Sequence, residues 1–377
     1  MAKKQSLTTQ LKSASNGKNN SSTLLIMRRV LAYLLCLTGL ALISGCSSIA
    51  YYGQSVIGHS RLMLSRQPVN AAIQAAKDDA DTDLRVNLEL ALELRRYSVS
   101  ELSLPDNGSY SSYIALQREF PVWTVVAAEE FSVQARQWCY PIIGCASYRG
   151  YFSESAAQHY ADELKQQELE ADVNGAIAYS TLGWFEDPLV PSMMRNGEAD
   201  LAETLFHELA HQQLYVKNNS AFNEAFATAV GEQGATRWLS QNRPEKLKAY
   251  LQRRNARDDF SLLLKQIKQR LEDLYNSDVS ETEMRTGKGA ILANLLTEYQ
   301  QLKTRQWQGH GWFDRWFDKP VNNARLAAFS TYRELVPEFL ALLQQCDADF
   351  GRFYQSLEGA RENRELAVIP ERCLAAT

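Results

Sequence analysis

The sequence predicts an α+β fold, mainly helical, with a small sheet and one long helical hairpin. Three observations lead there. Leucines spaced at three and four recur over long stretches, as in LRVNLELALELRRY from Leu84 to Tyr97, which is the period of an amphipathic helix. Runs of β-branched apolar residues are few and short, PVWTVVAA from Pro121 to Ala128 being the clearest. Two charge-rich segments, Pro244 to about Asn276 and about Glu281 to Arg305, follow one another with a short break between them. They predict two long helices folded back on each other, with their charges on a solvated outer face.

Taken in order, residues 47–100 read as mostly helical, and LPDNGSY, Leu104 to Tyr110, reads as a turn because Pro, Asp, Asn and Gly cluster there. Strands follow at Pro121–Ala128 and around Ser147–Phe152, a helix at Ser155–Gln167, and a strand at Asn174–Leu182 ended by GWFEDP. A helix from Leu201 to Val216 is broken by Lys217-Asn218-Asn219, and Asn219 or Ser220 can cap the next one, to about Leu239. Pro244 suits the first position of the first hairpin helix. No Pro- or Gly-rich linker divides residues 46–377, so they read as one domain.

Residues 1–45 differ from the rest. They hold six Lys or Arg and no Asp or Glu, and from Val30 to Ile43 they carry the apolar block VLAYLLCLTGLALI. Fourteen residues are short for a bilayer span, which takes roughly 20. The block fits a secretory signal peptide with Arg28 and Arg29 as its positive flank. It ends in ISGC, which resembles a bacterial lipobox, so Cys46 is expected to carry lipid and to begin the mature chain. The rival is an uncleaved signal anchor. Ser47 in place of Asp resembles the outer-membrane sorting pattern, facing the periplasm. Met27 before Arg28 is an alternative start to Met1.

Without those six cations the chain holds 34 Lys and Arg against 44 Asp and Glu, a net of −10. Such an acidic body argues against nucleic acid as a partner. Past Cys46 four cysteines remain, an even number that suits disulfides in an oxidising compartment. Sequence neighbours pair most simply, Cys139 with Cys145 and Cys346 with Cys373. Loop-closure entropy gives about 2.4 and about 3.6 kcal/mol for them. A metal site at Cys139 and Cys145 is the rival, but no His stands close by.

The chemistry gathers in HELAHQQLYVKNNSAFNEAFA, His207 to Ala227. On a helix His207 and His211 face the same way and aim both imidazoles at one point, a disposition that suits zinc. Glu208 lies about 100° further round, near the metal but off the ligand face, where the general base for an activated water must stand. The third ligand is not a histidine, since Gln212 to Asn223 contains none. Twelve residues separate His211 from Glu224 in FNEA, enough to end one helix, turn and begin an antiparallel one. The rival is a surface helix with a His-Glu-His ridge. His59, His159 and His310 read as surface or structural.

These blocks resemble those of the gluzincins, thermolysin-like peptidases whose third ligand is a Glu on the next helix. More closely, LPDNGSYSSYIAL, WCYPIIGCASYRGYF, AYSTLGWFEDP, HELAHQQLYV with FNEAFATAV, and NNARLAAFSTY are similar to a family of exported bacterial zinc aminopeptidases with the HExxH site, many of them lipoproteins. The resemblance spans nearly all of the mature chain and implies a zincin-like peptidase with His207, His211 and Glu224 as zinc ligands and Glu208 as base. A zinc endopeptidase of the envelope and a non-catalytic envelope-binding lipoprotein are the alternatives.

Supporting roles fall to other blocks. Ala178–Phe185 is the expected edge strand for a peptide substrate, with Gly183 allowing close approach and Asp187 or Glu186 placed to hold a terminal ammonium. Tyr332, or else Tyr299, is expected to donate to the oxyanion. Glu232 is expected behind Glu224. Asn322, Asn323 and Arg325 either line the site or brace a helix.

Overall fold

The computed structural model describes residues 51–140, 144–181, 185–330, 333, 335–359 and 368–374. Two compact units divide the chain, Met1–Ile57 and Gly58–Thr377. Of the first, residues 51–57 are described and are helical. The elements below belong to the second. Among the described residues no helix is long and apolar enough to cross a membrane.

Two short strands, β1 (Gln67–Pro68) and β2 (Ser112–Tyr113), pair around helices Val69–Asp78 and Thr82–Ser100. Asp81 caps the second of these by accepting from the Leu84 amide at 3.0 Å. Next come β3 (Val122–Glu129), β4 (Trp138–Tyr140), β5 (Gly144–Ala146), β6 (Arg149–Tyr151), helix Glu154–Gln166 and β7 (Leu169–Ala176). β6, β3 and β7 form an antiparallel sheet in that order, with Trp123 opposite both Tyr151 and Gly175. β4 and β5 form a separate hairpin closed by the Cys139–Cys145 disulfide. On β3, Val126 and Ala128 pack against Ala324 and Ala327 of helix Asn323–Ser330. Alternation turns Val125 and Ala127, equally buried, to the other face.

The remaining chain is helical. Helix Glu198–Gln213 carries the two histidines and helix Ser220–Asn242 carries Glu224. The long helices Pro244–Tyr275 and Glu281–Arg305 follow. The second of these begins with a reciprocal cap between Ser280 and Glu283, a device that satisfies two orphan amides at once. Phe260, Leu264, Ile267, Leu295 and Tyr299 fill a core with Trp307, so the hairpin expected from the sequence is packed along its length. Helices Val336–Gln345 and Phe350–Ser356 close the histidine side of the molecule. There Phe339 meets Phe222 edge to face, Phe353 stacks on Phe226, and Cys346 bonds Cys373.

One strand lies earlier than its sequence pattern suggests. The expected Asn174–Leu182 is Leu169–Ala176, because Leu169 and Ala171 supply the buried alternation opposite β3. Past Ala176 side chains replace the ladder: Ser192 donates to the Ile177 carbonyl, and the Thr181 amide donates to Asp187 at 3.0 Å. The expected substrate strand Ala178–Phe185 is therefore irregular over residues 178–181.

The histidine and glutamate helices pack closely at Gly231. A Cβ there would stand 2.7 Å from the Glu203 carbonyl oxygen and 3.2 Å from the His207 Cβ. Backbone cannot rotate away as a side chain can, so Gly231→Ala must push the two helices apart. It is expected to destabilise the fold by about 1–3 kcal/mol, seen as a lower midpoint in chemical unfolding. An unchanged midpoint would show that this contact does not set the helix spacing.

Candidate metal centre

The histidine helix starts at Gly197, whose φ of 93° only glycine adopts easily. Glu198 and Asp200 in its first turn suit the positive end of the dipole. Leu201, Leu205, Phe206, Leu209 and Ala210 are buried in the main core, and His207 and His211 face Glu224 on the second helix. The helix ends at Gln213, three residues before the expected Val216, because Leu214 turns extended at φ −142°, ψ 127°.

Asparagines make the turn. Asn219 caps the second helix, accepting from the Phe222 amide at 3.1 Å. Asn223 grips Val216 with both ends of its amide: the Val216 N–H donates to its oxygen at 2.7 Å, and its nitrogen donates to the Val216 carbonyl at 2.8 Å. That two-point bond fixes the entry of the helix one residue before Glu224. The Asn of the Asn-Glu pair thus has a structural task that the sequence pattern alone does not reveal.

His207, His211 and Glu224 come together. The two Nε2 atoms are 3.2 Å apart. Glu224 Oε2 is 3.3 Å from His207 Nε2 and 3.6 Å from His211 Nε2. Ligands at 2.0–2.1 Å from a tetrahedral ion are separated by about 3.3–3.4 Å, so the three donor atoms are spaced as a group that can hold a metal ion. Burial works against the Glu224 carboxylate, yet the imidazoles of His211 and His207 outweigh it and hold its pKa far below the usual range. Burial likewise opposes charge on His207, and Glu224, Glu208 and Glu203 together raise its pKa. His211 Nδ1 is buried without a partner among the described residues.

Glu208 is half-buried, and its carboxylate makes no hydrogen bond or ion pair among the described residues. One turn beyond it, Gln212 is the anchor for a loop that sequence reasoning read only as a turn. Asn107 Nδ2 donates to Gln212 Oε1 at 2.5 Å, and Gln212 Nε2 donates to Ser109 Oγ at 3.0 Å. The Tyr110 amide donates to the Asp187 carbonyl at 2.6 Å. Tyr110 itself is 0% exposed, stands at φ 61°, and its hydroxyl has no partner. Both the αL backbone and the orphan hydroxyl are uncommon for a tyrosine. LPDNGSY carries the signal, an Asx-type turn before an aromatic residue, but nothing in it says which helix it meets.

Asp187 is 0% exposed. Its oxygens accept from Thr181 Oγ1 at 2.7 Å, from the Thr181 amide at 3.0 Å and from Gln212 Nε2 at 3.4 Å. Burial raises its pKa to about 6 against those bonds, with a further push from Glu208. It is the hub of the loop, closed off by its own hydrogen bonds, and this corrects its expected role as an ammonium clamp. Glu186 is exposed, 3.9 Å from Arg66. Gly183, Tyr332 and Cys46 lie outside the described residues.

Tyr299 is buried in the hairpin core and donates to Asp314 at 2.6 Å, so it cannot reach the histidines. Glu232 is bound by Arg333 at 2.7 Å and lies 3.6 Å from Arg257. Arg257 and Tyr250 in turn hold Glu203, making a buried ionic brace behind His207 and not a bond to Glu224. Asn322 caps its own helix by accepting from the Arg325 amide at 2.9 Å, Asn323 donates to the Glu130 carbonyl at 2.8 Å, and Arg325 pairs with Asp172 at 3.1 Å. These three brace the sheet. His59 contacts the Tyr179 hydroxyl at 2.7 Å, His159 lies 3.3 Å from Glu163, and His310 stacks on Trp312.

A cavity of about 370 Å³ runs along the same helix one turn before the histidines, between Thr204, Glu203, Ile177, Met193, Arg257 and Phe313. A larger one of about 510 Å³ lies away from the cluster, against Trp307 and His310, and shares Trp312 with the first. No curated protein and no solved structure matches the chain. A family model described as "Putative aminopeptidase" matches residues 50–366, a span that holds the sheet, the helix pair with His207, His211 and Glu224, and the long hairpin, and the chain belongs to that family.

Proposed function

We propose that the protein is a zinc-dependent aminopeptidase with a zincin-like domain, hydrolysing peptide bonds with Glu208 as general base. The observation that carries the reading is the spacing of His207, His211 and Glu224 at 3.2, 3.3 and 3.6 Å, with an unpartnered carboxylate one residue from the first ligand. A zinc ion held by these three would polarise the scissile carbonyl and make water acidic enough to react near pH 7. Glu208 takes the proton from that water and can return it to the departing amine, which needs a carboxylate with free lone pairs. The cavity along Ile177 and Thr204, the latter one helical turn before Glu208, offers room for a substrate side chain. The preference for a free amino terminus rests on the family alone, so it is tested separately.

His207→Ala is expected to lose zinc, and Glu208→Gln to keep zinc and lose activity by about 10²-fold or more. Elemental analysis and hydrolysis of short peptides measure both. Full zinc content in His207→Ala contradicts the ligand set. The same peptide with a free and an acetylated amino terminus decides the end specificity: equal rates mean an endopeptidase.

The proposal extends to location. Cys46 at the end of the apolar block is the lipid-bearing start of the mature chain, which anchors the enzyme to the envelope membrane, facing the periplasm. Mass spectrometry of membrane-extracted protein is expected to find no peptide from residues 1–45. A Cys46→Ala variant still processed at the same place and found in the membrane fraction contradicts it.

A further inference from the structure

Tyr110 is a buried donor in search of an acceptor. Its hydroxyl lies in the main core with no hydrogen-bond partner, a state that costs stability unless some arrangement of the site satisfies it. The loop that carries it is fixed. Asn107 and Ser109 are both bound to Gln212, and the Tyr110 amide is bound to the Asp187 carbonyl. Gln212 lies four residues after Glu208 on one helix, so the two share a face. The loop is therefore clamped onto the face that carries the base.

Two carboxylates are near enough to act electrostatically on the hydroxyl, after burial itself, namely Glu208 and Asp187. Asp187 is already supplied with donors by the Thr181 amide, Thr181 Oγ1 and Gln212. Glu208 has none among the described residues. The hydroxyl is too buried for solvent to serve it, and its backbone is held at φ 61°. The carboxylate is half-buried, on a side chain with three rotatable bonds, so it is the partner able to move.

We propose that Tyr110 is the positioning residue for Glu208: its hydroxyl donates the hydrogen bond that fixes the carboxylate of the base in the working enzyme. The proposal rests on the peptidase reading for its consequence and on the loop geometry for its existence. A fixed carboxylate lone pair aimed at the reacting water raises turnover without adding any contact to substrate.

The test uses the full chain loaded with zinc. With a panel of free-amine dipeptides as probe, Tyr110→Phe is expected to keep its zinc and its KM and to lose about 10-fold or more in kcat. An unchanged kcat overturns the proposal. Should the unaltered enzyme cleave nothing in the panel, the peptidase reading fails, and thermal unfolding still decides the bond. Tyr110→Phe, Glu208→Ala and the double variant are expected to shift Tm non-additively, by about 2 °C or more. Additive shifts overturn the bond between the two side chains.

Discussion

Two imidazole nitrogens and a carboxylate oxygen are held within 3.6 Å of each other in a largely buried place. Three such donors turned inward are costly alone: desolvation penalises the carboxylate, and the nitrogens can share few protons between them. A dication on the common point offsets all of these at once. Much of the surrounding structure serves to hold that arrangement. Gly231 lets the helices meet closely, Asn223 fixes the turn between them, and the brace of Glu203, Arg257, Glu232 and Arg333 stiffens the back of His207.

The other side of the helix face is built from segments far apart in sequence. The loop around Asn107–Tyr110 and the pair Thr181 and Asp187 converge on Gln212, one turn past Glu208. Among the described residues of this patch, the Tyr110 hydroxyl and the Glu208 carboxylate have no hydrogen-bond partner. An apolar patch of the same shape would be more stable. The polar loop therefore trades stability for a defined environment around Glu208, which is the usual condition of a functional site.

The helical hairpin, the histidine helix and the approach of Glu224 to the two histidines are legible because each depends on local spacing. Leucines at three and four, Pro244 at a helix start and His at i and i+4 speak for themselves. The strand at Leu169–Ala176 reads from the sequence as Asn174–Leu182 because its own apolar alternation is weak and IAYSTL after it is more β-like; side-chain bonds of Asp187 and Ser192 take over past Ala176. Asp187 and Tyr299 were misjudged for a common reason. Each is polar and near a suggestive motif, but only packing shows that one is sealed by hydrogen bonds and the other sunk among Phe260 and Trp307. Tyr110 could not be seen at all, since a turn motif does not name the helix it docks on.

The central claim is that the three inward-facing side chains form a single zinc site. X-ray absorption at the zinc edge of the loaded full-length protein tests it most directly. The account predicts two imidazole nitrogens and further oxygen ligands at about 2.0–2.1 Å, with no sulfur. A spectrum with zinc–sulfur scattering near 2.3 Å, or with fewer than two imidazoles, would contradict it.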